Sequence, residues 1–375
     1  MRVLIDATAV GEGRGGIVTY LRELLRAWAA AGFGDELLVA GTRDLPPAID
    51  AALGASGRVV RLGGDRRWTR FAVQHVGIPA LARSWKPDVL LATTPVVPLL
   101  ARGRPVVVVL YDLRYLRRPR EFGRVQRWYR TVMYRLGLWR ATWVLSISMS
   151  TQRDAIATFP GIGSKIETVY LGADQFQRDA GEQAGSHAVA FAHWPNKQPE
   201  MSIRAWGVLK ARSEAFSNVL HVVGVRPADR PRLAALVDRC GLAGQVRLHG
   251  YLDEGAYGRL FSTARLMVMP STFEGFGLPV IEAMRLGVAV VASDDPAMQE
   301  AGEGFALYAP PDAPDALAGQ CARLLFDDEL HRTLVAGGLR HAETFTWRRT
   351  AEHTRAALAR EVERWADPDR RRSRL

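Results

Sequence analysis

The chain has 375 residues, of which 48% are hydrophobic and 24% charged, and its formal net charge is +11. This composition is typical of globular proteins and excludes a disordered chain, and the length favours two domains. The two cysteines, Cys240 and Cys321, lie far apart, so we expect neither a disulfide framework nor a zinc site, as suits a reducing cytoplasm.

The first half of the chain alternates predicted strands with predicted helices. Residues 2–7 predict a strand that leads into a glycine-rich loop at 10–17, and a helix with apolar residues at helical spacing follows. Asp6 interrupts the first apolar run, so we expect no signal peptide, and the uncharged stretch 89–101 is too short to cross a bilayer. Further strands are predicted at ELLVAG, GRVVRL, DVLLAT and PVVVVLY. Continuous apolar runs of this kind indicate parallel strands covered on both faces.

A second set of strands begins near His187. Its predicted strands are AVAFAH, NVLHVVG, QVRLHG, RLMVMP and VAVVAS, with helices predicted at 201–213 and 229–241. The polar residues 175–187 have the composition of a linker, and a last helix is predicted at 347–365. The predicted fold class is therefore α/β, with two units in tandem.

The segment STFEGFGLPVIEAM, residues 271–284, carries two glutamates eight positions apart, Glu274 and Glu282. It follows a predicted strand, and Pro279 can occupy the first turn of a helix that ends at Gly287. Glycines at the carboxyl end of a parallel strand allow close approach of a ligand, and the N–H groups of the helix start favour phosphate. Carboxylates beside such a site can accept hydrogen bonds from hydroxyl groups. A nucleotide sugar offers both chemistries, whereas the alternative is a helix with one capping glutamate and one solvated glutamate.

The segment EGFGLPVIEAM resembles the motif of two glutamates separated by seven residues in retaining glycosyltransferases of the GT-B fold, in particular glycosyltransferase family 4. MRVLIDA, GRGGIVTYLRELL, KIETVYLGAD and the run from QVRLHG to GVAVVAS resemble further segments of that family, in the same order. The resemblance implies two Rossmann-like parallel-sheet domains that face a central cleft. The acceptor domain would span residues 1–178 and the nucleotide-sugar donor domain 186–346, and a C-terminal helix at 347–375 would pack back on the first domain.

The resemblance also implies roles for individual residues. Glu274, at the donor sugar, and Lys197, at the diphosphate, are the implied catalytic residues. The implied donor-binding residues are Gly15, Gly16, Asn196, Phe276, Gly277, Leu278 and Glu282. No metal and no cofactor is implied, because fixed hydrogen-bond donors can stabilise the charge that develops on a nucleoside diphosphate leaving group.

Two positions depart from the family pattern. The family often has an arginine shortly before the lysine, where this chain has apolar residues and Asn196. The family commonly has His-Asp after the strand that here reads VVVVL, and this chain has Tyr111 and Asp112, which are candidate sugar contacts. Tyr111 raises the hypothesis of an altered donor, a 6-deoxy sugar or a pentose.

Positive charge is concentrated between Arg102 and Arg140, a segment that contains eleven arginines and only two acidic residues. A further cluster stands in the C-terminal DRRRSRL. Arginines three and four apart can share a helix face, and the candidates for an anionic surface are Arg120, Arg124, Arg127 and Arg130. With interleaved aromatics this face suits an anionic membrane or an anionic acceptor such as a polyprenyl-diphosphate-linked glycan. The alternative is a solvated face over a buried apolar stripe.

These observations predict a retaining glycosyltransferase that moves a hexose or deoxyhexose, such as mannose, glucose or rhamnose, to a glycan or lipid-linked acceptor. We expect it in cell-surface polysaccharide synthesis, in the cytoplasm and peripheral at the inner face of the membrane. The alternatives are a glycosyltransferase for small natural products, a non-catalytic sugar-binding protein, and another GT-B enzyme such as an epimerase or phosphorylase. A nucleic-acid-binding protein fits the charge, but the chain has no nucleic-acid motif that we recognise, so we expect no nucleic-acid partner.

Overall fold

The computed structural model describes residues 1–11, 15–63, 67–176 and 185–367. The chain divides into two compact units, the first formed by Met1–Gly172 with the residues from Thr346 onward, and the second by Ala173–Phe345. The division thus comes before the sequence-based boundary at residue 178, and the predicted linker begins inside the second unit. The arginines of the C-terminal DRRRSRL lie outside the described residues.

The first unit is built on a parallel sheet of seven strands. The strands are β1 (Arg2–Asp6), β2 (Glu36–Gly41), β3 (Gly57–Arg61), β4 (Val89–Ala92), β5 (Val106–Leu110), β6 (Trp143–Ser146) and β7 (Ile166–Thr168). The helices of its continuous part are α1 (Gly16–Ala31), α2 (Ala48–Leu53), α3 (Arg67–Ala72), α4 (Ile78–Trp85), α5 (Arg114–Arg117), α6 (Arg124–Arg140) and α7 (Met149–Thr158). Each residue of β5 is buried, which confirms that its continuous valine run marks a strand covered on both faces.

The strand order of this sheet is β3-β2-β1-β4-β5-β6-β7. Along the chain, β1, β2 and β3 extend the sheet toward one edge, and β4 to β7 extend it toward the other edge. The order therefore reverses between β1 and β4, which pair in parallel with Val3 beside Val89. At such a reversal the loops leaving the two strands diverge and open a crevice at the carboxyl edge.

The second unit repeats this plan with six parallel strands in the order β10-β9-β8-β11-β12-β13. The strands are β8 (Ala188–Phe191), β9 (Leu220–Val223), β10 (Val246–Leu248), β11 (Leu266–Met269), β12 (Ala289–Ser293) and β13 (Leu307–Ala309). The helices are α8 (Pro199–Arg212), α9 (Arg230–Arg239), α10 (Glu254–Ser262), α11 (Leu278–Arg285), α12 (Pro296–Gly302), α13 (Pro314–Phe326) and α14 (Asp328–Ala342). Its order reverses between β8 and β11.

The last described helix, α15 (Trp347–Ala366), belongs to the first unit and packs on α1. The Trp347 ring meets Tyr20 at 6.3 Å between centroids, and Arg355 Nε donates to Asp35 Oδ2 at 2.7 Å. Gly172 is needed where the chain leaves the first unit, because a Cβ there would lie 2.1 Å from the Trp347 backbone nitrogen. Contacts to three parts of the unit thus fix the start and the middle of α15.

Each unit has a hydrophobic core between its sheet and its helices. In the first unit the core joins alternate residues of the central strands to α4, α6 and α7, and in the second unit Trp206 is the largest fully buried side chain. Among the described residues, no helix combines the length and the apolar composition that crossing a bilayer requires.

Candidate functional site

The site lies at the carboxyl edge of the second sheet, where the strand order reverses. β8 and β11 are neighbours there, with Val189 beside Met267. The chain leaves β8 into a tight 3-10 turn, Pro195–Lys197, and leaves β11 into a loop that ends at Gly277. Because both strands point the same way, their two loops meet at this edge, the position at which open α/β sheets bind ligands.

Three of the predicted residues meet between these two loops. Lys197 Nζ donates to Glu274 Oε1 at 2.7 Å, and Asn196 Nδ2 donates to the same oxygen at 2.9 Å. The side chains of Lys197 and Glu274 are only 6% and 14% exposed. A buried ion pair is tolerated when further hydrogen bonds satisfy its atoms, and here Asn196 supplies one. The sequence-based grouping of these three residues therefore describes one compact cluster.

The chain leaves the Pro195–Lys197 turn through a residue in an uncommon backbone conformation. Gln198, directly after it, has φ of 47°, in the left-handed region that side-chain-bearing residues rarely adopt. The Thr272 N–H donates to the Asn196 carbonyl at 2.9 Å and ties the turn to the neighbouring loop. Asn196 Oδ1 is buried and has no hydrogen-bond partner among the described residues. Strain and an unsatisfied acceptor together are features of functional sites.

The start of α11 completes the second wall of the site. Gly277 has φ of 88°, and a Cβ there would lie 3.0 Å from Met298 Sδ, so any other residue would be strained at this position. The buried Phe276 ring packs on Phe345, with 5.8 Å between centroids. Leu278 then begins the helix, and Pro279 stands in its first turn as predicted. The backbone of Phe276, Gly277 and Leu278 thus forms a fixed turn at the positive end of the helix.

Glu282 is buried inside the unit and the Glu274 side chain is only 14% exposed, so neither is the solvated glutamate of the alternative. The exposed fraction of Glu282 is 7%, and Gln175 Nε2 donates to its Oε1 at 2.5 Å. Burial raises the pKa of Glu282 to about 7, against the opposing charge of Lys197 and the hydrogen bond from Gln175. Desolvation and, after it, the charge of Glu282 raise the pKa of the half-buried Tyr257. Glu282 is therefore a desolvated acceptor in the neighbourhood of the Lys197 cluster.

The sequence analysis did not identify two residues of the site. Gln175 lies in the stretch interpreted as linker, 107 positions from its partner Glu282. Asp295, after β12, accepts hydrogen bonds from the backbone N–H groups of Ala297 and Glu274. Burial is the largest cause of the rise of the Asp295 pKa to about 6. The Asp-Asp-Pro run at 294–296 was a signal for Asp295, since an acidic residue before proline commonly caps a helix.

The chemistry of this set is defined by its donors and acceptors. An ammonium, an amide and a helix start offer N–H groups to an anion, and two carboxylates offer acceptors to hydroxyl groups. Within the described ranges, no group of three or more histidine, cysteine or acidic side chains is arranged to hold a metal ion.

The other sequence-based candidates lie in the first unit. Gly15 and Gly16 stand at the start of α1, after β1, while residues 12–14 of the same loop are outside the described residues. Tyr111 follows β5, its ring meets Tyr20 edge-on at 5.5 Å, and its buried hydroxyl has no partner in the part of the chain described. Asp112 Oδ1 accepts from the Arg114 N–H at 2.9 Å.

The arginine candidates lie on and before α6. Arg120, Arg124 and Arg127 are exposed, whereas Arg130 is half-buried with its guanidinium 5.0 Å from the centre of the Phe122 ring. Arg130 is thus directed to the body of the first unit, while the other three are open to solvent.

Two doubly wound parallel sheets in tandem, the second with a carboxylate and lysine cluster at its reversal point, define the GT-B class. Comparison with protein families agrees with this architecture. The pattern of the family described as Glycosyl transferases group 1 matches residues 187–327, and that of Glycosyltransferase Family 4 matches residues 14–175. The chain belongs to the group 1, family 4 glycosyltransferases.

Two curated relatives illustrate the similarity. The chain is 35% identical to the O-antigen chain mannosyltransferase B of Escherichia coli over 131 residues. This alignment covers 35% of this chain and 34% of that protein. Over 347 residues it is 28% identical to the MMP alpha-(1->4)-mannosyltransferase of Mycolicibacterium hassiacum, covering 88% and 80% of the two chains. The chain spans about a third of the length of the first of these relatives.

Solved structures share the fold over nearly the whole chain. The sucrose-phosphate synthase of Thermosynechococcus elongatus superposes with a TM-score of 0.77 and 21% identity, covering 96% of this chain and 99% of that one. HepE of Anabaena, solved in complex with UDP-glucose, superposes with a TM-score of 0.75 and 18% identity over the same shares. At these identities the likeness supports the fold alone.

Proposed function

We propose that the protein is a retaining glycosyltransferase that uses a nucleoside diphosphate sugar. The observation that carries this proposal is the cluster of Lys197, Asn196 and Glu274 at the β8–β11 reversal, with the buried Glu282 on the adjoining helix. A diphosphate, a ribose and a sugar are the three parts of a ligand that would use an ammonium and two separate carboxylates.

Each part of the donor has a matching group. The Lys197 ammonium has three N–H donors, of which one goes to Glu274, so the others can serve a phosphate oxygen together with the start of α11. Glu282 would accept from the ribose hydroxyls and Glu274 from hydroxyls of the sugar. The unsatisfied Asn196 Oδ1 would accept from a further hydroxyl.

The proposed reaction breaks the bond between the sugar C1 and the diphosphate oxygen and forms a bond from C1 to an acceptor oxygen on the same face. The acceptor proton passes to an oxygen of the departing diphosphate. Lys197 and the α11 N–H groups stabilise the charge that develops on this leaving group, and as fixed donors they need little reorganisation. The proposed reaction does not require a metal ion.

The proposed substrates follow from the relatives as well as from the site. Because the curated relatives above are named mannosyltransferases, mannose is the favoured sugar among the hexoses and deoxyhexoses considered. The proposed acceptor is a glycan or a lipid-linked saccharide of cell-surface polysaccharide synthesis, reached from the cytoplasmic face of the membrane. Tyr111 remains the basis of the 6-deoxy-sugar hypothesis, which a donor panel tests directly: preferred use of the ordinary hexose rejects it.

The experiment that tests the proposal is thermal stabilisation by UDP, GDP, TDP and their mannose, glucose and rhamnose conjugates, in EDTA. A ligand at 100 times its Kd stabilises the native state by about 2.7 kcal/mol, which is readily measured. We expect one base to stabilise the protein selectively and Glu282→Ala to abolish the effect. No stabilisation by any nucleotide contradicts the donor assignment, and stabilisation without turnover on any acceptor favours the non-catalytic sugar-binding alternative.

A further inference from the structure

Helix α6 is fixed to the first unit by its inner face. Met133, Gly137 and Leu138 are buried, and a Cβ on Gly137 would lie 1.7 Å from the Pro95 carbonyl oxygen. The helix backbone therefore rests directly on the loop that follows β4. At the C-terminal end, Arg140 donates to the Ala101 carbonyl at 2.9 Å. These contacts hold α6 in a defined orientation, so its opposite side is a fixed surface.

That opposite side carries large apolar residues open to solvent. We call them the outer stripe, and their exposed fractions are Val125 81%, Trp128 68%, Tyr129 38%, Leu136 39% and Trp139 78%. At 100° per residue these positions fall within a sector of about 100°, and the buried residues lie outside it. Trp128 and Trp139 are eleven positions apart, about 16 Å along the axis. Single exposed apolar residues are ordinary, but a row of five on one helix indicates a binding surface.

The charge around the outer stripe has one sign. Residues 124–140 include five arginines and neither aspartate nor glutamate. Arg124, Arg127 and Arg135 are exposed and make no ion pair within the described residues. Arg120, in the turn that precedes the helix, is also exposed. An occupant of this surface must therefore be apolar at its centre and anionic around it.

We propose that the outer stripe docks on an anionic lipid bilayer, with α6 lying parallel to the membrane surface. Tryptophan is favoured at the lipid–water interface, and arginines beside it can reach phosphate groups. A nucleic acid fits less well, since Val125 and Leu136 offer aliphatic surface that bases do not require. The inference goes beyond the proposed reaction, because membrane binding is a property of the protein without donor or acceptor.

The test is co-sedimentation with vesicles of phosphatidylcholine, alone or with 30% phosphatidylglycerol, near physiological salt. We expect wild type to bind the anionic vesicles, and each arginine near the surface to contribute about fivefold in affinity. W128S/W139S should lower binding at least tenfold, and R124Q/R127Q/R135Q should do the same only on anionic vesicles. F326S is the matched control, because Phe326 is 65% exposed on α13 of the second unit, and it should bind like wild type.

Thermal unfolding of each variant shows whether it is folded. A measurement on wild type alone gives a second test, since raising the salt to about 0.5 M shortens the screening length and should weaken binding. The proposal is overturned if wild type does not bind anionic vesicles, or if the tryptophan variant binds them like wild type. If wild type binds neutral and anionic vesicles equally well, the proposed preference for anionic lipid is overturned. Preference for a 30-mer DNA, or a dimer lost in W128S/W139S without vesicle binding, assigns the surface to another partner.

Discussion

Lys197 Nζ lies 2.7 Å from Glu274 Oε1, although the two residues are 77 positions apart and leave different strands of the sheet. Neither charge has much access to water, so each depends on the other in the folded protein, and Glu274 also depends on the hydrogen bond from Asn196. Replacing either residue should therefore alter folding as well as reaction chemistry, and the two effects need separate measurements.

Replacing Glu274 should lower turnover more than nucleotide affinity. We expect Glu274→Gln to reduce kcat by about 10²-fold, because a carboxylate that accepts from the donor sugar is lost while the ribose site is intact. Steady-state kinetics and calorimetric titration with the free nucleoside diphosphate measure the two quantities. A large loss of nucleotide affinity with unchanged kcat would contradict the assignment.

Glu274→Gln is preferred to Glu274→Ala for this test because it should disturb folding less. Glu274→Ala leaves the Lys197 ammonium without its carboxylate, and breaking a buried pair in this way costs about 3–5 kcal/mol of stability. Glu274→Gln retains an oxygen that can accept from Lys197 and Asn196, so it should fold at lower cost. Lys197→Met is the complementary variant, and it should weaken nucleotide binding by removing the cation that faces the diphosphate.

Glu282→Gln should stabilise the protein at alkaline pH while weakening nucleotide binding. The folded-state pKa of Glu282, about 7, lies above the unfolded value near 4.5, so stability is fully present below pH 4.5 and is lost as pH rises through 7. The neutral amide avoids this loss, which is of the order of 3 kcal/mol for a shift of this size. Denaturant unfolding at pH 5 and pH 8.5 measures the difference.

The same variant tests the ribose assignment. A carboxylate accepts from both ribose hydroxyls, so nucleotide affinity of wild type should fall below about pH 7, where Glu282 takes up a proton. Glu282→Gln should bind weakly at every pH. Equal affinity of wild type and variant at pH 8 would reject the ribose role, even if the stability prediction holds.

Gly277→Ala should destabilise the second unit by about 1–3 kcal/mol. Its φ of 88° is unfavourable for alanine, and the added Cβ would press on Met298 Sδ at 3.0 Å. The matched control is Gly258→Ala in α10, where a Cβ meets nothing within 4 Å and helix propensity predicts a gain of up to about 1 kcal/mol. Chemical denaturation compares them, and similar effects of the two changes would show that the turn at Gly277 is not constrained.

The stacked His221 and His249 should make the protein sensitive to acid. Their rings are parallel within 6°, and Nδ1 of His221 lies 3.0 Å from Nε2 of His249. Burial, His187, His249 and Arg247 lower the pKa of His221 to about 4, so stability is full above pH 6.5 and is lost as pH falls toward 4.

Replacing one imidazole of this pair by a ring that does not titrate isolates its contribution. His221→Phe should reduce the loss of stability between pH 7.5 and 5 by roughly 1 kcal/mol, discounted for the partial exposure of the pair. Urea unfolding at the two pH values is the measurement. Identical pH dependence in wild type and variant would place the acid sensitivity elsewhere.

Sequence reasoning found strands with clear apolar runs, such as β5 and β12, and also the three-residue β10. It did not identify β6, β7 and β13, which are only four, three and three residues long and include Trp143, Glu167 and Tyr308. Length does not separate them from the predicted strands, but β7 and β13 lack a run of aliphatic residues and are stabilised by their neighbours in the sheet rather than by a local pattern. The apolar runs and the family resemblance predicted parallel sheets. The order of the strands and its reversal were beyond what the local sequence specifies.

Within the site, local sequence was enough for Glu274, Glu282 and the helix start, because glycine, proline and carboxylate stand together in one segment. It could not reveal the hydrogen bond from Gln175 to Glu282, which depends on the return of a distant polar stretch to α11. The burial of Glu282, and with it the raised pKa, is also a consequence of tertiary packing.

The assignment of α15 to the first unit has a consequence for synthesis on the ribosome. The second unit is one continuous segment, Ala173–Phe345, and can complete its fold as soon as that segment has emerged. The first unit begins earlier but must wait for Trp347 and Arg355 before α1 is covered. During that interval the apolar surface of α1 beside Tyr20 is open to water. The order of translation is therefore not the order of completion, and the half that emerges first is the last to become fully folded.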